Sequence, residues 1–149
     1  MATNIFDILT LIKTTIEAIT PTRDATQTFR QALDMSVDHG RANRNFTVDV
    51  ISTNPVDRGA VRRGTGIYIQ DISFTVSVYY DDKNSSIESN AAIIEDGNSI
   101  VQALYNVAGT TYRPLTSDGF RWNGSDIGPA EHGGKIQVIG FETRITDVT

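Results

Sequence analysis

Two periodicities run along this chain, and they predict helices and strands in turn. From Ile5 to Ile19 the apolar residues Ile5, Ile8, Leu9, Ile12, Ile16 and Ile19 recur at three- and four-residue steps, tracing one stripe on a helix. Asn4 is placed to cap it and Asp7 sets negative charge in its first turn. Thr20-Pro21 ends it, because proline disfavours helical geometry in the residue before it. The period then falls to two. In Asn45 to Ser52, Phe46, Val48 and Val50 alternate with Thr47, Asp49 and Ile51, as in a half-buried strand. The clearest alternation places Ile72, Phe74, Val76, Val78 and Tyr80 on one face and Ser73, Thr75, Ser77 and Tyr79 on the other.

Ser85 and Glu88 have capping-box spacing for a second helix beginning near Ser86. Ile87, Ala91, Ile94, Val101, Leu104 and Val107 line its apolar face, and Asp96-Gly97-Asn98 is a point where it can split in two. Thr110 to Trp122 reads as a third strand interrupted at Pro114, Asn123-Gly124 as a turn, and Ser125 to Gly134 as an exposed loop. Lys135 to Thr146 closes the chain as a fourth strand, with Ile139, Phe141, Thr143 and Ile145 on one face. Thr22 to Gly40 carries Phe29, Leu33 and Val37 at helical spacing within polar surroundings that suit a strand edge or loop, and it receives no assignment. The expected fold is α/β in the α+β sense. It is a single domain over residues 1–149, a mostly antiparallel sheet of about four strands with two main helices on one face, and the segment 116–134 largely loop.

Between the first two strands lies an arm, residues 54–66, with the sequence NPVDRGAVRRGTG. Pro55 breaks a ladder, and Gly59, Gly64 and Gly66 free the backbone, so charged chain is mounted on a rigid strand where it can reach a neighbouring subunit. Arg58, Arg62 and Arg63 form the one basic cluster, with Asp57 beside them. A solvated loop is the plain reading. The sharper reading pairs the arm with acidic residues on an adjacent copy or with DNA passing nearby. The net charge of -5 and pI near 4.9 favour the protein partner. Arginine outnumbers lysine ten to three, a bias suited to carboxylate pairing at interfaces. Among Tyr68, Tyr79, Tyr80, Tyr105, Tyr112 and Trp122, Tyr79 on the polar strand face is the expected interface anchor.

Composition narrows the chemistry further. At 149 residues, with 39% hydrophobic and 21% charged residues, the chain can bury a core without staples. The lack of cysteine excludes disulfides, thiolate metal sites and cysteine nucleophiles. The first twenty residues lack the basic and continuous apolar regions of a signal peptide, and no stretch reaches the roughly 20 apolar residues of a membrane helix. A soluble protein, made and kept in a cytoplasm until it assembles, is expected. His39 and His132 each precede glycine in expected loops, and Asp71, Asp81, Asp82, Glu95 and Asp96 show no metal-binding or paired-carboxylate spacing. Gly64-Thr65-Gly66 lacks the Gly-Lys-Ser/Thr of a phosphate loop and leads into a strand. No enzyme, cofactor or metal site is expected.

The order of elements, from LTLIKTTIEAI through RNFTVDVIS, GIYIQDISFTVSVYY and SIVQALYNV to FETRIT, is similar to that of the tail terminator (tail completion) proteins of long-tailed bacteriophages. The resemblance is one of plan, without a diagnostic motif. It implies a six-membered ring that caps the tail tube, halts its polymerisation and joins the head connector. Its partners would be copies of itself, the tail tube protein and a connector or stopper protein. DNA would only pass through the lumen, and no membrane is involved. The place implied is the head-proximal end of the tail in the virion. Alternatives are a head-tail stopper or other neck protein and, further off, a tail tube subunit or a small ligand-binding module.

Overall fold

A computed structural model describes residues 5–21, 29–31, 43–55, 67–81, 87–110, 116–130 and 133–148. The first helix, α1 (Ile5–Glu17), follows its apolar stripe. Ile8, Ile12 and Ile16 are buried, whereas Phe6 on the other side is exposed. A short strand β1 (Arg30–Gln31) comes next, within the segment the sequence left unassigned. The strands β2 (Asn45–Pro55) and β3 (Ile67–Tyr80) precede a single long helix, α2 (Ile87–Thr110). Strands β4 (Thr116–Pro129) and β5 (Lys135–Val148) complete the fold.

The sheet has five strands in the order β1-β2-β3-β5-β4. Only the β1–β2 pairing is parallel, and the other three are antiparallel. The α+β architecture expected from periodicity is therefore present, with five strands in place of about four.

Register carries the apolar positions onto one face. Val78 lies opposite Phe46, Phe74 opposite Phe141 and Val76 opposite Ile139. These residues form one cluster with Ile8, Ile12 and Ile16 of α1 and with Ile93, Ile100 and Leu104 of α2, so both helices cover the same side. At its centre Phe74 stacks on Phe141 with centroids 5.4 Å apart and meets the edge of Phe120 at 5.7 Å. Truncating such a buried ring to alanine costs about 3–5 kcal/mol. The other face is polar and bears ion pairs between Arg144 and Asp71 (2.9 Å) and between Arg121 and Glu142.

The sequence pattern and the fold diverge at two glycines. Helix α2 is unbroken through Asp96-Gly97-Asn98. A Cβ on Gly97 would stand 2.9 Å from Cδ of Gln137, so the glycine lets the helix lie close on β5 rather than ending it. Asn123-Gly124 is a bulge and not a turn. The β4–β5 register skips a residue between Trp122 and Gly124, Gly124 takes a φ of 120°, and the strand continues to Pro129. Most of the expected loop at 116–134 is thus strand, the expected strand start near Thr110 is the end of α2, and Pro114 lies outside the described residues. The chain reverses later, where the Ala130 N–H donates to the Gly134 carbonyl and Gly133 and Gly134 have φ of 103° and 80°.

Candidate interface beside the second helix

Arg58, Arg62, Arg63 and Asp57 of the arm lie outside the described residues, as do His39 and His132. Tyr79 is described, and its placement corrects the sequence reading. It is buried, because the turn before β5 folds over its ring and its hydroxyl donates to the Gly133 carbonyl at 3.3 Å. Strand alternation alone points it outward, but that rule sees only its own strand. In this arrangement its ring offers no surface to a neighbour. Among the described residues the exposed aromatic side chains are Phe6 of α1 and, of those the sequence singled out, Trp122 and Tyr105 at 44% and 45%.

Trp122 lines a groove between α2 and the edge strand β4. Its volume is about 460 Å³, and its walls include Ile94 and Asn98 on the helix and Trp122, Asp126 and Ile127 on the strand, over a floor formed by Gln137. Ile94 is 48% exposed and Ile127 36%, so the apolar wall is open to solvent. The bulge makes this wall. Trp122 lies opposite Phe141 and Ser125 opposite Ile139, so both share the helix-covered face. Without the extra residue the alternation would have turned Asp126 toward the helix and Ile127 away. The indole N–H of Trp122 donates to the Ser125 hydroxyl at 3.1 Å, which fixes the ring, and its backbone N–H donates to the Tyr105 hydroxyl at 3.1 Å.

A buried ion pair holds the other side of the helix. The guanidinium of Arg44 donates through Nε to Asp96 at 2.8 Å, and both side chains are 6% exposed. Arg44 has a φ of 63°, its N–H donates to the Tyr79 carbonyl at 2.8 Å, and its guanidinium lies 5.9 Å from the Phe29 ring centroid. The left-handed conformation costs a residue with a side chain about 1–2 kcal/mol, a strain that the surrounding bonds offset. Tyr80 is buried beside the pair, and its hydroxyl has no hydrogen-bond partner of good geometry among the described residues. Burial, reinforced by the Asp96 charge, pushes its pKa far above the ordinary tyrosine value.

The two ties anchor different stretches of the helix. Asp96 draws the helix toward the start of β2, while Tyr105, nine residues on, ties it to β4 at the far side of the sheet.

Trp122 and Tyr105 were visible in the sequence as aromatic candidates. Ile94 was not, because its spacing placed it with the core. Among the described residues, no three His, Asp or Glu side chains come together as metal ligands, and no helix is long and apolar enough to cross a membrane. Compared with models of known protein families and with curated proteins, the sequence matches none.

Proposed function

We propose that this chain is a structural subunit of the tail of a long-tailed bacteriophage. Copies form a six-membered ring at the head-proximal end of the tail, stop polymerisation of the tail tube and offer the joint to the head connector. The subunit binds its neighbours, the tube protein and the connector, and performs no catalysis.

The observation that carries this reading is an exposed apolar groove beside a core that is already complete. Leaving Ile94, Trp122 and Ile127 in water forgoes burial worth roughly 1.5–3 kcal/mol for each such side chain when fully enclosed. A subunit gains that burial when it assembles. Sheet edges add to the case: among the described residues, the outer edge of β2 beyond Phe46 and the outer edge of β4 have no strand partner. The element order, a helix, three strands, a second helix and two strands, differs from the expected plan only by the short β1 and also supports the reading as an analogy of plan.

The test is native mass determination of the purified protein, alone and with tail tube ends, followed by imaging. Closed rings that bind tube ends and block addition of tube subunits are expected. A monomer that ignores tube ends, or a ring that binds only the connector side, would refute the capping role.

A further inference from the structure

We infer that the outer edge of β4 pairs, antiparallel, with the same edge of a second copy of this chain about a two-fold axis at the Asn123-Gly124 bulge. The contact is separate from the ring proposed above and does not depend on it, because a two-fold contact is complete with two copies.

The direction of each peptide group on β4 follows from its ladder with β5. The Ala130 N–H donates to the Gly134 carbonyl, so Ala130 faces β5, and by alternation Gly128, Asp126 and Gly124 face it too. Ile127 and Ser125 therefore turn their peptide groups outward. The bulge inserts Asn123, and Trp122 is the next residue to turn outward. Its N–H agrees, since it donates to the Tyr105 hydroxyl at 3.1 Å and not to β5. Every residue from Arg121 to Ile127 is exposed, and neither lysine nor proline interrupts the strand before Pro129. An edge of this kind accepts another strand.

Spacing and charge decide which strand it accepts. The outward residues Ile127, Ser125, Trp122 and Phe120 are separated by steps of two, three and two, so the edge reads alike in both directions. Turned about an axis between Asn123 and Gly124, Ser125 falls opposite Trp122 of the second copy, Ile127 opposite its Phe120, and bulge opposite bulge. Asp126 then stands opposite Arg121 of the second copy, and the axis makes that pair twice. Both side chains lie on the helix-free face. There Asp126 has no ion pair among the described residues, and Arg121, with its side chain 55% exposed, has donors beyond those Glu142 takes. Opposite charges placed across two strands stabilise the pairing, and like charges oppose it. Laid bulge to bulge on β2 of another copy, β4 would set Asp126 against Asp49, and β1 already covers that edge at Phe46. The self-pairing is the favoured one. In the dimer the Tyr105 hydroxyl yields the Trp122 N–H to the Ser125 carbonyl of the second copy.

The lack of cysteine gives a clean test. Arg121→Cys and Asp126→Cys are combined in one chain and oxidised under native conditions. Facing positions of this kind bring Cα atoms to about 4.5 Å, within disulfide reach, whereas in one chain the two lie roughly 15 Å apart along the strand. A covalent dimer and nothing larger is expected on a non-reducing gel, and neither single variant should form it. Asp126→Arg, a change at an exposed position, should weaken the dimer about tenfold or more by sedimentation equilibrium, and adding Arg121→Asp should restore it.

A wild-type chain that stays monomeric, or a dimer that Asp126→Arg leaves as tight, overturns the inference. Single variants that cross-link as fast as the double variant would mean random collision and overturn it as well. Rings that cap tube ends with β4 unlinked uphold the proposed function alone. Linked dimers that never build rings uphold this inference alone.

Discussion

Cutting the Arg44–Asp96 pair should destabilise the fold more than any change to a surface ion pair. At 2.8 Å, with both side chains 6% exposed, neither charge has water to fall back on. Removing one partner of a buried pair leaves an uncompensated charge and costs about 3–5 kcal/mol. Asp96→Ala should fall near the lower figure, because the stranded guanidinium keeps the face of Phe29, 5.9 Å away. A loss of about 3 kcal/mol is a large share of a total that is typically 5–15 kcal/mol. For a chain of this size it lowers the melting temperature by about 6–12 °C. Urea unfolding followed by circular dichroism measures it as a lower midpoint at constant slope. The double change Arg44→Met with Asp96→Leu removes both charges and should recover most of the loss. A cost below about 1 kcal/mol for Asp96→Ala, or a double variant as unstable as the sum of the singles, would refute the buried pairing.

Tyr80→Phe deletes a buried hydroxyl that has no well-formed hydrogen bond, so it should be neutral or stabilise the fold by about 1 kcal/mol. Tyr80 also carries a pH dependence: its folded pKa is raised, so its contribution is intact below the unfolded value of about 10 and is lost as pH rises beyond it. Between pH 10 and 11 the wild type should therefore lose up to about 1.4 kcal/mol more than Tyr80→Phe, and equal losses in urea titrations would contradict the assignment. Gly97→Ala should show coupling to Gln137. In a Gln137→Ala background the helical gain of about 1 kcal/mol is realised, whereas with Gln137 in place the new methyl is crowded and the gain shrinks or reverses. Additive effects in the double-mutant cycle would mean that helix and strand are not in close contact there.

Periodicity read α1, β2, β3 and β5 well, because each buries one face against neighbours that the pattern need not identify. It misread glycines, which serve unrelated ends. Gly97 admits a neighbour and Gly124 carries a bulge, yet each reads locally as a break or turn. The Arg44–Asp96 pair joins residues 52 positions apart, and nothing near either one signals the other. The groove was harder still to foresee, since it depends on a strand phase reset at the bulge and on where the helix crosses the sheet. Tyr79, the expected anchor, is covered by a turn that strand alternation cannot see.

The buried pair also separates stability from assembly. A buried ion pair adds little that well-packed apolar side chains could not replace, so its use here needs another reason. Its position suggests one: it ties the middle of α2 to the residue before β2, two positions from Ile94, which lines the groove with Ile127. Freed of that tie, the helix can settle over β4 and cover those side chains, which gains apolar burial at the expense of the groove. The variant with Arg44→Met and Asp96→Leu should therefore keep most of its stability and lose self-association. Native mass and urea unfolding on the same sample read the two quantities independently. A stable double variant that still forms wild-type oligomers would show that the pair does not position the assembly surface.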